Sequence, residues 1–115
     1  MINRQALIRR YLGEKVHVLV DRPIGCNHKG ILYSVNYGYL PGVMAGDGEE
    51  QDAYILGVAV PLKEFDGVVI GAAVRKNDVE DKLIVAPEGM AFSREEMEQA
   101  VRFQERYFDT EILVL

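Results

Sequence analysis

The sequence predicts an α+β chain that is mainly β: a small closed antiparallel barrel with a short N-terminal helix and a C-terminal helix packed on it. Three observations lead there. Between residues 16 and 86 the chain passes through five short runs rich in β-branched and apolar residues, separated by loops of Gly, Pro and Asp. Helical spacing of apolar residues is confined to the two ends. A length of 115 residues suffices for one core and not for two, so residues 1–115 are expected to fold as a single domain.

From Ile2 to Leu12 the apolar residues Ala6, Leu7, Ile8, Tyr11 and Leu12 lie at helical spacings, and Gly13 follows where a helix end commonly needs positive φ. The run Val16-His-Val-Leu-Val20 before Asp21-Arg22-Pro23 reads as a strand ended by proline. A polar, glycine-rich loop follows through Gly25, Asn27, His28, Lys29 and Gly30. Further strands are expected at Tyr33 to Leu40, Ala53 to Val60, Val68 to Val74 and Lys82 to Ala86. Ser93-Arg-Glu-Glu96 is a capping box, in which the hydroxyl accepts from the Glu96 amide and the Glu96 carboxylate reaches back. Met97, Ala100, Val101, Phe103, Tyr107 and Phe108 continue it as a helix with a broad apolar face. Ile112 to Leu115 supply an edge strand or a subunit contact.

Composition narrows the function. Hydrophobic residues make up 49% and charged residues 27%, the balance of an ordinary globular protein. Thirteen Lys and Arg against eighteen Asp and Glu leave a net charge of -5, which argues against nucleic acid or an anionic membrane as a partner. The single cysteine, Cys26, leaves no intramolecular disulfide and suits a cytoplasmic location. No run approaches the roughly 20 apolar residues of a membrane span.

Two acidic clusters stand out. In Asp47-Gly-Glu-Glu-Gln-Asp52, Gly48 permits a sharp turn that aims the carboxylates of Asp47, Glu49 and Asp52 at one point. Mg²⁺ accepts such oxygen ligands while keeping several waters. The segment is not an EF-hand, because Asp52 stands where that loop requires glycine. The competing reading is a solvated acidic turn. The second cluster, Asn77, Asp78, Glu80 and Asp81, lies between two expected strands directly before Lys82. Converging acidic loops require a cation, and Lys82 is then available for a phosphate. A charged hairpin tip with a solvated lysine is the alternative.

Order distinguishes these readings. Tyr33-Ser-Val-Asn-Tyr-Gly-Tyr-Leu-Pro41, then Gly46-Asp-Gly-Glu-Glu-Gln-Asp52, then Asp78-Val-Glu-Asp-Lys-Leu-Ile-Val-Ala-Pro87 resemble, in sequence order, the hallmark segments of the family I soluble inorganic pyrophosphatases. The resemblance spans about residues 16 to 108. It implies a small barrel with flanking helices, of the pyrophosphatase and OB-like kind, and hydrolysis of pyrophosphate to two phosphates with Mg²⁺, for which Mn²⁺ can substitute. By the same resemblance Asp47 and Asp52 hold metal, with Asp78, Glu80 and Asp81 completing the shell, and Glu49 orients or deprotonates the attacking water. Lys82 and Tyr37 take part in catalysis and in substrate binding, and Arg22 also binds substrate.

The sequence departs from the family at several points. Glu49 replaces an aspartate, moving the carboxylate by roughly 1.5 Å. The loop carrying Asp78 and Glu80 is about two residues short, and Arg22 lies about three residues further from the Tyr37 motif than usual. The family's additional Lys and Glu residues before the Arg22 strand, and its Tyr-Lys pair beyond the last helix, have no expected counterpart. His28 and Lys29 are candidate replacement phosphate contacts. Alternative functions are hydrolysis of another phosphoanhydride and a non-catalytic metal- and phosphate-binding module. A homo-oligomer is expected, because a small barrel gains from burying an apolar tail.

Overall fold

The computed structural model describes residues 4–46 and 48–114. Helix α1 (Arg4–Tyr11) ends at Gly13, whose φ of 84° is the turn the sequence anticipated. The expected helical residues Ile2 and Asn3 lie outside the described residues. Strands follow at β1 (Lys15–Arg22), β2 (Asn27–His28), β3 (Ile31–Leu32), β4 (Asn36–Met44), β5 (Glu50–Ile55), β6 (Glu64–Arg75) and β7 (Lys82–Ala86). Helix α2 (Arg94–Glu105) and β8 (Thr110–Val114) complete the chain.

The strands pair in the order β1-β4-β5-β7-β6, and β6 returns to β1, so five strands close a barrel. The expected barrel and its two helices are present, with one departure from antiparallel pairing: β5 and β7 run parallel, with Ala53 beside Leu83 and Ile55 beside Val85. The cause is the connection after β5. Residues 56–63, with Gly57 and Pro61, form no tight hairpin, and β6 instead pairs antiparallel with both β1 and β7. At 12 residues β6 exceeds the expected Val68 to Val74, because its first half serves β1 and its second half serves β7 and β8. Strand β5 begins earlier than expected, at Glu50, so that Asp52 is a strand residue. The anticipated loop after Pro23 contains the small β2–β3 hairpin. Strand β8 adds to the barrel along β6, and the expected final residue of that strand, Leu115, lies outside the described residues.

Alternation along the strands sorts side chains into two layers. Val18, Leu40, Ala53, Ile55, Val69, Leu83 and Val85 come from all five barrel strands and fill its interior, with Ile8 of α1 packed against them. Tyr37, Tyr54, Ala73 and Ile84 face outward and are covered by Met97 and Val101 of α2 and by Ile112 of β8. The capping box that starts α2 forms as read, with Glu96 N donating to Ser93 Oγ at 3.1 Å and Ser93 N to Glu96 Oε1 at 2.9 Å.

The Asn-Tyr-Gly-Tyr run has a physical role at each of its first three positions. Asn36 is fully buried and pins two loops: its Oδ1 accepts from Ile24 N and Leu62 N, and its Nδ2 donates to Val60 O. Tyr37 faces the outer layer. At Gly38 a Cβ would stand 1.9 Å from the carbonyl oxygen of Leu19, so the close approach of β1 to β4 requires glycine. Among the described residues no helix is long and apolar enough to cross a membrane.

Candidate active site

A cleft of about 300 Å³ lies against the outer wall of the barrel, bordered by the β2–β3 hairpin and by the end of α2. Strand register brings its central groups together. Asp52 precedes the Ala53–Leu83 pair on β5, and Lys82 precedes it on β7; the parallel pairing therefore sets the two side by side. Period-two alternation turns both to the face that carries Tyr54 and Ile84. Lys82 is 3% exposed, and its Nζ donates to Asp52 Oδ2 at 2.6 Å and to Glu80 Oε2 at 3.0 Å. Burial acts to lower the Lys82 pKa, but Tyr37 and Asp52 outweigh it and hold the ammonium well above its ordinary value. Burial pushes the Tyr37 phenol up, so it stays protonated at neutral pH as a potential donor.

Further cations border the cleft. Arg22 ends β1, where its Nη1 donates to Tyr33 Oη at 2.6 Å and its guanidinium lies 5.1 Å from the Tyr37 ring centre and 5.6 Å from that of Tyr33. Burial opposes its charge, and the bond to Tyr33 together with the fields of Tyr33, Tyr37 and Asp21 outweighs this, holding the guanidinium above its ordinary value. Lys29 and Gly30 form the two-residue turn of the β2–β3 hairpin with φ of 52° and 84°, the left-handed pair that such a turn needs. For lysine that conformation costs roughly 1–2 kcal/mol. His28 is held below its ordinary pKa by desolvation and by the nearby Arg22 and Lys29 charges. It is therefore neutral at pH 7, and the hairpin's charge in the cleft is that of Lys29.

Arg75, at the end of β6, borders the same cleft and is 3% exposed. Its Nε donates to Glu105 Oε1 at 3.0 Å and its Nη2 to Glu105 Oε2 at 2.8 Å. Desolvation raises the Glu105 pKa and desolvation lowers that of Arg75, yet their mutual bonds dominate: the carboxyl lies below its ordinary range and the guanidinium above its own. The two arginines are joined through a buried chain. Arg22 donates to Tyr33, Tyr33 Oη to Gln104 Oε1, Gln104 Nε2 to Tyr54 Oη at 2.8 Å, and Tyr54 Oη to Glu105 Oε2 at 2.5 Å.

Of the residues singled out in the sequence, Arg22, His28, Lys29, Tyr37, Asp52, Glu80 and Lys82 border this cleft. Asp78 stands near it, 3.6 Å from Arg75 Nη1, with its Oδ1 accepting from Val79 N at 2.6 Å. Asp81 is buried: its Oδ1 accepts from the backbone N of Arg75 at 3.1 Å, and its carbonyl accepts from Gln51 Nε2 at 2.8 Å. Glu49 is exposed, on a turn whose carbonyl accepts from Ala45 N, and is not among the described residues bordering the cleft. Asp47 lies outside the described residues. Among the described residues no three His, Cys, Asp or Glu side chains lie close enough to hold a metal by themselves.

Sequence reasoning missed Arg75, Gln104 and Glu105. A signal was present: Gln104 and Glu105 fall seven and eight residues after Met97, on the stripe that should be apolar. Arg75 likewise closes the apolar run Ala72-Ala-Val74. Polar residues at buried positions need partners, and these three are one another's network.

Barrel and cleft together define a small β-barrel protein that presents clustered cations beside the carboxylates of Asp52 and Glu80. Solved structures with this fold include inorganic pyrophosphatases. That of Ehrlichia chaffeensis superposes with a TM-score of 0.68 at 16% identity, covering 87% of this chain and 85% of that one. The Helicobacter pylori enzyme gives 0.64 at 16% identity, with 91% and 84% covered. The Neisseria gonorrhoeae enzyme gives 0.60 at 22% identity, with 83% and 74% covered. No family model matches the sequence, and neither does any curated protein. The chain thus has the pyrophosphatase fold at an identity that speaks for the fold alone.

Proposed function

We propose that this protein is a cytoplasmic phosphoanhydride hydrolase whose substrate is inorganic pyrophosphate. The observation that carries the reading is the Asp52–Lys82–Glu80 cluster in a cleft bordered by Arg22 and Lys29, on a barrel of the pyrophosphatase kind. Water adds to one phosphorus, the P–O–P bridge breaks, and two phosphates leave with net release of a proton. Such a reaction depends chiefly on position and charge. Lys82 and Arg22 hold phosphoryl oxygens, Tyr37 donates from the wall between them, and Lys29 covers the open side.

The donor set fits Mg²⁺, or Mn²⁺ in its place. Oxygens of Asp52 and Glu80 both contact one nitrogen, Lys82 Nζ, so they can converge equally on a small hard cation once the ammonium turns to a phosphate. Two carboxylates with waters and substrate oxygens suffice for Mg²⁺. Asp47 and Asp78 are further ligands by resemblance; the carboxylate of Asp81 instead bonds the backbone at Arg75. A bound Mg²⁺ supplies charge neutralisation and a water of lowered pKa. Glu49 is the resemblance's choice for that water's proton.

The test is phosphate release from pyrophosphate with millimolar Mg²⁺ or Mn²⁺, set against Asp52→Asn. No release above that control ends the reading, and release from nucleotides or polyphosphate alone replaces the substrate. A second reading, a module that holds metal and phosphate without turnover, is favoured by the exposed position of Glu49 away from the cleft wall. Calorimetry showing metal-dependent pyrophosphate binding without release would select it. Light scattering tests the accompanying proposal of a homo-oligomer, which a monomer excludes.

A further inference from the structure

We propose that Arg75 is a second phosphoryl-binding cation of the cleft, holding the phosphoryl group adjacent to the one on Lys82, and that Glu105 is its positioning residue. The inference rests on the phosphoanhydride reading above. It starts from burial. An arginine 3% exposed carries a desolvation penalty that only close pairing offsets, and apolar residues of similar volume commonly serve stability as well or better. Packing alone therefore does not account for an arginine here.

The guanidinium is fixed on several sides. Glu105 engages it through two parallel bonds at 3.0 and 2.8 Å, the ring of Phe108 lies against its face at 3.6 Å, and Glu105 is itself held by Tyr54 and by Thr110 Oγ1 at 2.8 Å. That grip uses Nε and Nη2 and turns Nη1 towards the cleft wall, 3.5 Å from Glu80 Oε2 and 3.6 Å from Asp78 Oδ2. A planar donor group with a fixed edge is suited to phosphate.

The geometry also shows where an anionic oxygen sits. Oε2 of Glu80 lies 3.0 Å from Lys82 Nζ and 3.5 Å from Arg75 Nη1, so one carboxylate oxygen already occupies the space between the two cations. A phosphoryl oxygen arriving there meets both. Glu80, displaced, is left for the cation that accompanies the substrate. A ligand with two phosphoryl groups engages both Lys82 and Arg75, whereas a single phosphate can be held by Lys82 without Arg75.

The experiment is calorimetry on the full chain with Mg²⁺, using methylenediphosphonate, whose P–C–P bridge cannot be hydrolysed, and inorganic phosphate. Arg75→Lys keeps the charge and loses the fork: methylenediphosphonate is expected to bind roughly ten- to a hundredfold more weakly, and inorganic phosphate less than about threefold more weakly. Glu105→Gln is expected to act in the same direction, less strongly. Equal loss for both ligands means Arg75 only maintains the fold, and no loss for either means it does not touch the ligand; each overturns the proposal. If wild type binds both ligands or releases phosphate while Arg75→Lys matches it, this inference alone fails. If wild type does neither, the phosphoanhydride reading fails and takes this with it. Should the variants not fold, the Arg75 guanidinium NMR signals of wild type decide: they should shift with methylenediphosphonate and hardly with phosphate, and their indifference to methylenediphosphonate overturns the proposal.

Discussion

Lys82 donates to Asp52 across the barrel's parallel strand pair, Nζ to Oδ2 at 2.6 Å, and so fills the space where a cation bound to Asp52 and Glu80 would stand. The cluster is self-neutralised. A divalent cation must turn Lys82 away from the carboxylates, and a phosphate arriving at Lys82 does the same work from the other side. Each ligand therefore makes the other's binding easier. We expect Mg²⁺ to tighten the binding of inorganic phosphate by about 5- to 150-fold, and phosphate to tighten Mg²⁺ by the same factor, as linkage demands. Calorimetric titrations in both orders measure this; independent binding would refute the exchange.

Removing Lys82 should separate stability from function. Lys82→Met leaves Asp52 and Glu80, whose side chains are 34% and 44% exposed and so remain hydrated without a partner. The uncompensated-charge penalty of a broken buried pair is then small, and the methionine keeps the packing against Tyr37. Unfolding free energy should change by less than about 1 kcal/mol, while kcat on pyrophosphate falls about 10²- to 10³-fold. Urea melts and phosphate-release rates check both halves, and a collapse in stability with activity intact would reverse the assignment.

The barrel and the capped helix were legible because each depends on local pattern: β-branched runs, Gly and Pro punctuation, and the Ser93–Glu96 box. The pairing of β5 with β7 was not, since direction within a closed sheet follows from which strands the long 56–63 connection lets meet. That pairing, not the acidic segment's own spacing, is what joins Asp52 to Lys82. Arg75 and Glu105 escaped for a related reason. They lie 30 residues apart, and each alone looks like a solvated charge; only their encounter beneath α2 makes them a buried pair. The Asn-Tyr-Gly-Tyr run, by contrast, is legible as a pattern without its packing, and Gly38, pressed against the β1 backbone, supplies part of the physical reason for it.

Gly38→Ala tests it. The added Cβ would lie 1.9 Å from Leu19 O, 2.7 Å from Leu19 C and 2.9 Å from Val20 Cα, all backbone atoms of β1 that cannot rotate away. Strands β1 and β4 must separate locally, losing ladder bonds that close the barrel and that position Arg22 opposite Tyr37. The expected loss is about 3 kcal/mol or more. Denaturant unfolding measures it, and a loss below about 1 kcal/mol would mean that the strands are not in such contact.

Glu105 links acid stability to the network beneath α2. Burial raises its pKa, but bonds from Arg75, Tyr54 and Thr110 outweigh this, so the folded-state value lies below the ordinary 4.5. A group whose pKa is depressed by folding contributes stability that is full above its unfolded value and is lost as pH falls through the folded one. Wild type should therefore weaken as pH drops below 4.5, first because the unfolded chain protonates Glu105 and, at lower pH, because the folded carboxyl takes a proton too and loses its ion pair with Arg75. Glu105→Gln lacks that titration. At pH 7 it removes the charge of the carboxylate that engages Arg75 through two bonds and leaves the guanidinium the longer contacts to Asp78 and Glu80, a loss of about 3 kcal/mol; at about pH 3.5 the difference from wild type should shrink, because protonation of Glu105 in the unfolded chain has by then removed part of the wild-type advantage. Urea unfolding of both proteins at the two pH values measures the gap. A gap that stays constant, or widens in acid, would show that Glu105 is not held ionised against Arg75 in the folded protein.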